Sequence, residues 1–163
     1  VGAEFGVTAY GTEALGVMRI EKGHVAGNEL NGQTTARDLG LGKMMSAKKD
    51  YIGRAMAGRR GLVDPNRPCF VGFKPVDRKE GLYSGAHFIP RGAEANAKND
   101  HGFMSSVAFS PVNGHWVGLG LLVRGPERYG EILRAYDPLR GHDTLVEVCE
   151  PVFHDPKGER LRV

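Results

Sequence analysis

Cysteine is scarce in this chain. Cys69 and Cys149 stand far apart and form no pair at ligand spacing. That excludes a disulfide-stapled scaffold and leaves buried free thiols in a reducing compartment as the expectation. Long hydrophobic runs are missing too. No stretch reaches the ~18 apolar residues of a membrane helix, and no leader peptide opens the chain, so it reads as cytoplasmic with no membrane partner. An excess of one charge sign is nearly absent, with 22 Lys and Arg against 19 Asp and Glu for a formal net charge of +3. This is too little to argue for nucleic acid, though it leaves an anionic ligand in play. The six histidines are not spaced as metal ligands, so no metal site is expected.

The common nucleotide and hydrolase signatures are also lacking. Leu39-Gly40-Leu41-Gly42 and Gly118-Leu119-Gly120-Leu121 miss the third glycine of a dinucleotide fingerprint and read as packing glycines. There is no phosphate loop and no Gly-x-Ser-x-Gly elbow. The basic pairs Lys48-Lys49 and Arg59-Arg60 lack the interleaved aromatics that base stacking needs, so nucleic acid is set aside as a partner. The chain begins Val1-Gly2-Ala3 without methionine, which reads as a piece of something longer.

What is present fits an ordinary globular chain, 40% hydrophobic and 25% charged. The pattern predicts a helix over 12–22, with Thr12 as cap, Glu13 in the first turn, a Leu15/Met18 apolar face and Gly23 closing it. Arg19 and Glu21, two residues apart, must point to opposite sides and find separate partners. Thr34-Thr35 to Asp38 offers the start of a short helix, and Leu39–Ser46 is an apolar segment of either kind. Asp50 is expected to cap a second helix over about 51–60. From about 68 the texture becomes short β-like runs: 69–74, 82–90, 103–109, 115–123, and a last pair near 144–149 and 151–154. Asn113-Gly114 is the strongest hairpin signal, and 92–102 reads as a surface loop. A boundary near 62–68 divides a helical lobe, 1–65, from an antiparallel β lobe, 66–163.

The order of several motifs adds a resemblance. These are Tyr10-Gly11-Thr12-Glu13-Ala14-Leu15, Met18-Arg19-Ile20-Glu21-Lys22-Gly23, Thr34-Thr35, Lys48-Lys49-Asp50-Tyr51-Ile52-Gly53-Arg54, Ser105-Ser106, Ser110-Pro111 and Gly118-Leu119-Gly120. In that order they resemble the folate-binding aminomethyltransferase superfamily, which includes the glycine-cleavage T-protein and dimethylglycine dehydrogenase. The branch most similar is the carboxy-terminal part of heterotetrameric sarcosine oxidase alpha subunits. The resemblance implies an α+β fold: a partial folate-binding module of two helices and short strands over 1–65, then a small antiparallel β-barrel or jelly roll.

It further implies tetrahydrofolate as cofactor, taking the one-carbon unit of sarcosine as 5,10-methylenetetrahydrofolate. Arg19 matches the family arginine implicated in holding folate's glutamate tail, a task that suits a planar, bidentate guanidinium. Glu21, Tyr51 and Ser105 are the residues expected around it, with Glu21 more suited to anchoring a loop or a cation than to touching ligand. Ser105-Ser106 stands where the family often has Thr-Ser-Gly. No catalytic residue is expected here, since the family's catalytic aspartate and pterin-recognising glutamate belong upstream of Val1. Flavin (FAD/FMN) and NAD belong to other parts of the parent complex, whose remaining alpha chain and beta, gamma and delta subunits are the expected partners. The chain alone is then inactive. The alternatives are a non-catalytic folate-binding scaffold or regulatory module, or a T-protein-like aminomethyltransferase fragment.

Overall fold

The computed structural model describes residues 1–162. Its architecture follows from the apolar run Trp116 to Val123. Successive side chains of a strand point to opposite faces, and this strand is buried on both. Val117, Leu119 and Leu121 join one apolar cluster with Ile20, Leu39, Phe70 and Ala108. Leu122, on the other face, joins Val71, Phe73, Phe88, Met104, Leu133 and Val146. Gly118 and Gly120 share the face of Leu122, and space dictates them. A Cβ on Gly120 would stand 2.6 Å from the Phe103 carbonyl oxygen and 3.0 Å from the Phe73 ring, and one on Gly118 2.4 Å from Met104 Sδ. These are packing glycines, as expected; Gly40 is not, having nothing within 4 Å of its Cβ position.

Six strands form: β1 (Pro68–Pro75), β2 (His87–Pro90), β3 (Gly102–Ser110), β4 (His115–Val123), β5 (Ile132–Asp137) and β6 (His142–Cys149). They close into an antiparallel barrel in the order β1-β4-β3-β2-β5-β6. The Leu122 cluster fills its interior, and each fully buried Leu, Phe or Val there contributes about 1.5–3 kcal/mol. The Asn113-Gly114 turn joins β3 to β4, as its sequence predicts. Three strand expectations fail. The 82–90 run is a strand only over His87–Pro90, because a turn with Gly85 at φ +90 precedes it. Residues 151–154 form no strand, because the Phe153 and His154 N–H groups bond to the Glu21 carbonyl instead. The remaining strand is β5, unread because Arg134 and Asp137 interrupt a six-residue run squeezed between Glu131 and Pro138.

The helical segment lies against the outside of this barrel. Helix α1 (Thr12–Glu21) is where it was expected, but Thr12 is its first residue and makes no cap bond; Gly11 holds the cap position. Leu15 and Met18 remain about half exposed, while Val17, Ile20 and Glu21 face the barrel. The buried stripe is thus set by what lies on β3, not by helix hydrophobicity. Gly23 takes φ +69, and a Cβ there would stand 2.4 Å from the Pro151 carbonyl oxygen, so only glycine lets the carboxy-terminal tail pass.

Thr35 and Asp38 do make reciprocal capping bonds, N–H to Oδ2 at 2.8 Å and N–H to Oγ1 at 3.3 Å, but a turn follows rather than a helix. Leu39–Ser46 is neither strand nor core helix and holds a 3-10 turn at Gly42–Met44. The second helix shrinks to α2 (Arg54–Ala57): Gly53, at φ +91, interrupts the expected start, and Asp50 only accepts from its neighbour Tyr51 N–H. Among the described residues, no helix is long and apolar enough to cross a membrane. Cys69 and Cys149 are free thiols, half-buried rather than buried.

Candidate functional site

The register of β3 on β4 slips by one residue, running Met104↔Gly120 and then Ser106↔Leu119. Ser105 is the extra residue of a β-bulge, and bulges re-aim side chains. In a regular strand Ser105 and Ser106 would face opposite ways. Here both hydroxyls donate to Oε1 of Glu29, at 2.5 and 2.8 Å. The Ser105 carbonyl accepts from the side chains of Asn28 (3.0 Å) and Ser84 (3.1 Å). The bulge therefore builds a polar socket on the outer wall of the barrel.

Glu29 fills that socket with its side chain fully buried. Its Oε2 accepts the Ala26 N–H at 2.7 Å, closing the 26–29 turn on itself. Arg19, on the last turn of α1, completes the set. Its Nη1 stands 3.5 Å from Glu29 Oε2 and donates to the His24 carbonyl at 3.3 Å, while Nη2 donates to Ser106 Oγ at 2.6 Å. Ser106 thus accepts from the arginine and donates to the glutamate. Burial alone would push the Glu29 carboxyl up. The Ser105 hydroxyl, the Ala26 N–H, the Ser106 hydroxyl and the Arg19 charge outweigh it and hold the group below the usual carboxylate range. The Arg19 side chain remains 22% exposed.

Glu21 meets the same strand further along. Ser110 Oγ donates to Glu21 Oε1 at 2.5 Å and accepts from Asn113 N–H and Nδ2, at 3.1 and 2.8 Å. Ser106, Ala108 and Ser110 form one outward stripe of β3. Arg19 and Glu21, pointing opposite ways from the helix end, land on its two ends, roughly 13 Å apart at strand spacing. The Glu21 carboxylate holds the Ser110 hydroxyl of β3, with no cation within ion-pair distance among the described residues, and its backbone carbonyl holds the tail.

Ser105 and Arg19 are brought together through Glu29 and Ser106. Tyr51 is not: it lines a separate cleft of about 290 Å³ with Arg37, Ser46 and Arg54. A second cleft, about 270 Å³, lies over a clamp in which Asp38 takes Arg67 Nε (3.1 Å to both oxygens) and Nη2 (2.7 Å). A third, about 380 Å³, runs between Val17 and Ile20 of α1 and Phe109 and Trp116 of the barrel. Arg19 lines none of these three. Sequence reasoning missed Glu29 and Asn28; the available signal was a lone acid three residues after Ala26 in a turn-rich run, the spacing at which a carboxylate caps a turn.

Comparison with known proteins shows what the chain is similar to. The chain is 45% identical over 163 residues to the sarcosine oxidase alpha subunit of Rhizobium meliloti strain 1021, covering 99% of this chain and 16% of that protein. Over this stretch the chain is similar to the sarcosine oxidase alpha subunit. It spans about a sixth of that relative's length. It is also 28% identical over 162 residues to an aminomethyltransferase of Desulfitobacterium hafniense, covering 97% of this chain and 41% of that one. A crystal structure of glycine cleavage system aminomethyltransferase T from Bartonella henselae matches with TM-score 0.64 over 88% of this chain and 38% of that one. At 24% identity that likeness shows the fold, an α+β arrangement of the T-protein kind. No protein-family model matches the chain.

Proposed function

We propose that the chain is the tetrahydrofolate-binding part of a sarcosine oxidase alpha-type polypeptide, the part that accepts the one-carbon unit from oxidative demethylation of sarcosine. Residues 1–65 then complete a folate-binding domain and residues 66–163 form the barrel beside it; Val163 lies outside the described residues. Tetrahydrofolate, when bound, supplies the nitrogens that take the carbon, giving 5,10-methylenetetrahydrofolate. Arg19 presents its guanidinium to the negatively charged tail. In this reading the chain holds no catalytic residue and is inactive alone. Flavin and NAD chemistry belongs to the rest of a cytoplasmic complex with beta, gamma and delta subunits.

The observation that carries the reading is the setting of Arg19. Three internal partners, Ser106, Glu29 and the His24 carbonyl, hold the guanidinium in one orientation, and part of the side chain stays open to solvent. A donor ordered beforehand loses less freedom on binding. The same contacts favour a second reading, in which Arg19 only staples α1 to the barrel. Titration of the polypeptide with tetrahydrofolate separates the two. Arg19→Ala weakens binding by about 1.5–3 kcal/mol if the guanidinium grips a carboxylate. Ser106→Ala removes one internal tie but keeps the charge, and affinity should fall by less. If Arg19→Ala lowers the melting temperature while affinity is unchanged, the staple is the whole role.

A further inference from the structure

Charge is distributed unevenly along the chain. Residues 37–60 hold seven cations (Arg37, Lys43, Lys48, Lys49, Arg54, Arg59, Arg60) against Asp38 and Asp50, a balance of +5, which leaves −2 on the other 139 residues. Of the two acids, Asp38 is committed to Arg67 outside the segment. Asp50 stands 3.9 Å from Arg54 and is almost fully exposed, so it screens little. The other six cations have no carboxylate within ion-pair distance among the described residues. The barrel behaves differently, with Arg124, Arg128, Arg134 and Arg140 each closed on an acid.

This excess gathers around a cleft of about 290 Å³. Arg37 and Arg54 line it with Tyr51 and Ser46, and the rest of the lining is apolar or glycine. Ser46 Oγ accepts the N–H groups of Lys48 and Lys49, at 3.2 and 2.8 Å, which folds the lysine pair back beside the cleft. With its lone pairs used there, the Ser46 hydroxyl proton is left to donate. The lining therefore offers two planar forks, a phenol and a hydroxyl, all able to donate, and no carboxylate. The volume is at the small end for ligand sites.

We propose that this cleft binds a small polyanion carrying at least two carboxylate or phosphate groups, gripped by Arg37 and Arg54 and oriented by Ser46 and Tyr51. The site stands apart from Arg19 and does not depend on the folate reading. Two forks lining one cleft suit a ligand with at least two anionic groups better than one with a single group.

The test is calorimetric titration of the 163-residue chain at low salt with citrate, tripolyphosphate and a poly-dT oligonucleotide. Both small anions, or one of them, should bind, and the one preferred identifies carboxylate or phosphate as the natural group. The double variant Arg37→Gln/Arg54→Gln should weaken that binding about tenfold or more. Arg59→Gln/Arg60→Gln, which removes the same charge away from the cleft lining, should weaken it less than about threefold. All four side chains are exposed, so both doubles should melt like the parent chain. Arg37→Lys, which keeps the charge and loses the fork, provides a single-site check and should weaken binding severalfold. Equal loss in the two doubles would reduce the site to diffuse charge and overturn the proposal. So would failure of both small anions to bind, or an oligonucleotide that displaces them with affinity rising with its length.

Discussion

Replacing Glu29 by glutamine removes one charge from the buried cluster and almost no volume. The wild-type carboxylate accepts two hydroxyls on Oε1 and a backbone N–H on Oε2, and it faces Arg19. Glutamine cannot do all of this. With its carbonyl toward the serines, its amide NH₂ meets the Ala26 N–H, donor against donor. Flipped, the NH₂ faces Ser105 and Ser106. Ser105 can turn its proton to the Leu119 carbonyl at 3.1 Å, but Ser106 already accepts from Arg19. One buried donor is stranded either way. Losing a charge-assisted bond at such a site costs about 1.5–3 kcal/mol. The lost attraction to Arg19 adds less, because a partly exposed guanidinium rehydrates. The expected total is about 2–4 kcal/mol, a fall of roughly 5–15 °C in Tm for a chain of this size.

The pH dependence gives the sharper check. The folded Glu29 carboxyl lies below its unfolded value, so its stabilisation is complete above about pH 4.3 and is lost as pH falls through the lower folded value. Glutamine does not titrate. Urea denaturation of both proteins should therefore show a constant stability gap from about pH 7 to pH 5 that narrows toward pH 3. A gap below ~0.5 kcal/mol at neutral pH, the size of an exposed pair, would refute the reasoning. A gap of unchanged size at about pH 3 would do the same.

Arg67→Ala should cost about 3 kcal/mol in a urea titration, because buried Asp38 keeps its charge and loses a bidentate partner; Arg67→Lys should recover less than half, and full recovery would deny the fork any importance. Two glycines should respond with opposite sign in thermal melts. Gly120→Ala should destabilise by about 1–3 kcal/mol through its clash with the Phe103 carbonyl and the Phe73 ring, whereas Gly16→Ala, inside α1 with open space around it, should stabilise by about 0.5–1 kcal/mol. Burial pushes the Cys149 thiol up to about 12 and raises that of Cys69 as well. At about pH 8 both should react slowly with a thiolate-specific disulfide reagent in the folded chain and quickly in denaturant, and fast labelling of native protein would contradict the burial.

How much of this was legible in the sequence depends on how local each cause is. The β4 run and the Asn113-Gly114 turn were readable because strand period and turn chemistry act within a few residues. Helix α1 was readable for the same reason, but its buried side was not. Leu15 and Met18 look like the core face, and the structure leaves them out, because Ser106, Ala108 and Ser110 lie ninety residues away and select Arg19, Ile20 and Glu21. Strand β5 carries no strong pattern of its own. Its inward residues are Leu133, Ala135 and Asp137, and it exists because β2 and β6 flank it. The bulge is the least legible feature. Met104-Ser105-Ser106-Val107 reads as an unbroken strand, and only its register on β4 shows that one residue is extra.

That hidden bulge bears on why position 19 holds arginine. A lysine there would bring one point charge, and the carboxylate of Glu29 would largely neutralise it. A guanidinium carries five N–H donors on two edges, and here two of its nitrogens are engaged internally, by Ser106, His24 and Glu29. Whatever Arg19 holds beyond those partners, it must hold by the direction of its remaining N–H groups, since Glu29 has already cancelled most of its net charge. Under the proposed function, the staple and the ligand contact are successive uses of one side chain. The inner acid and the bulged serines fix the plane of the fork, and a fixed plane is what distinguishes a carboxylate presented edge-on from any other anion.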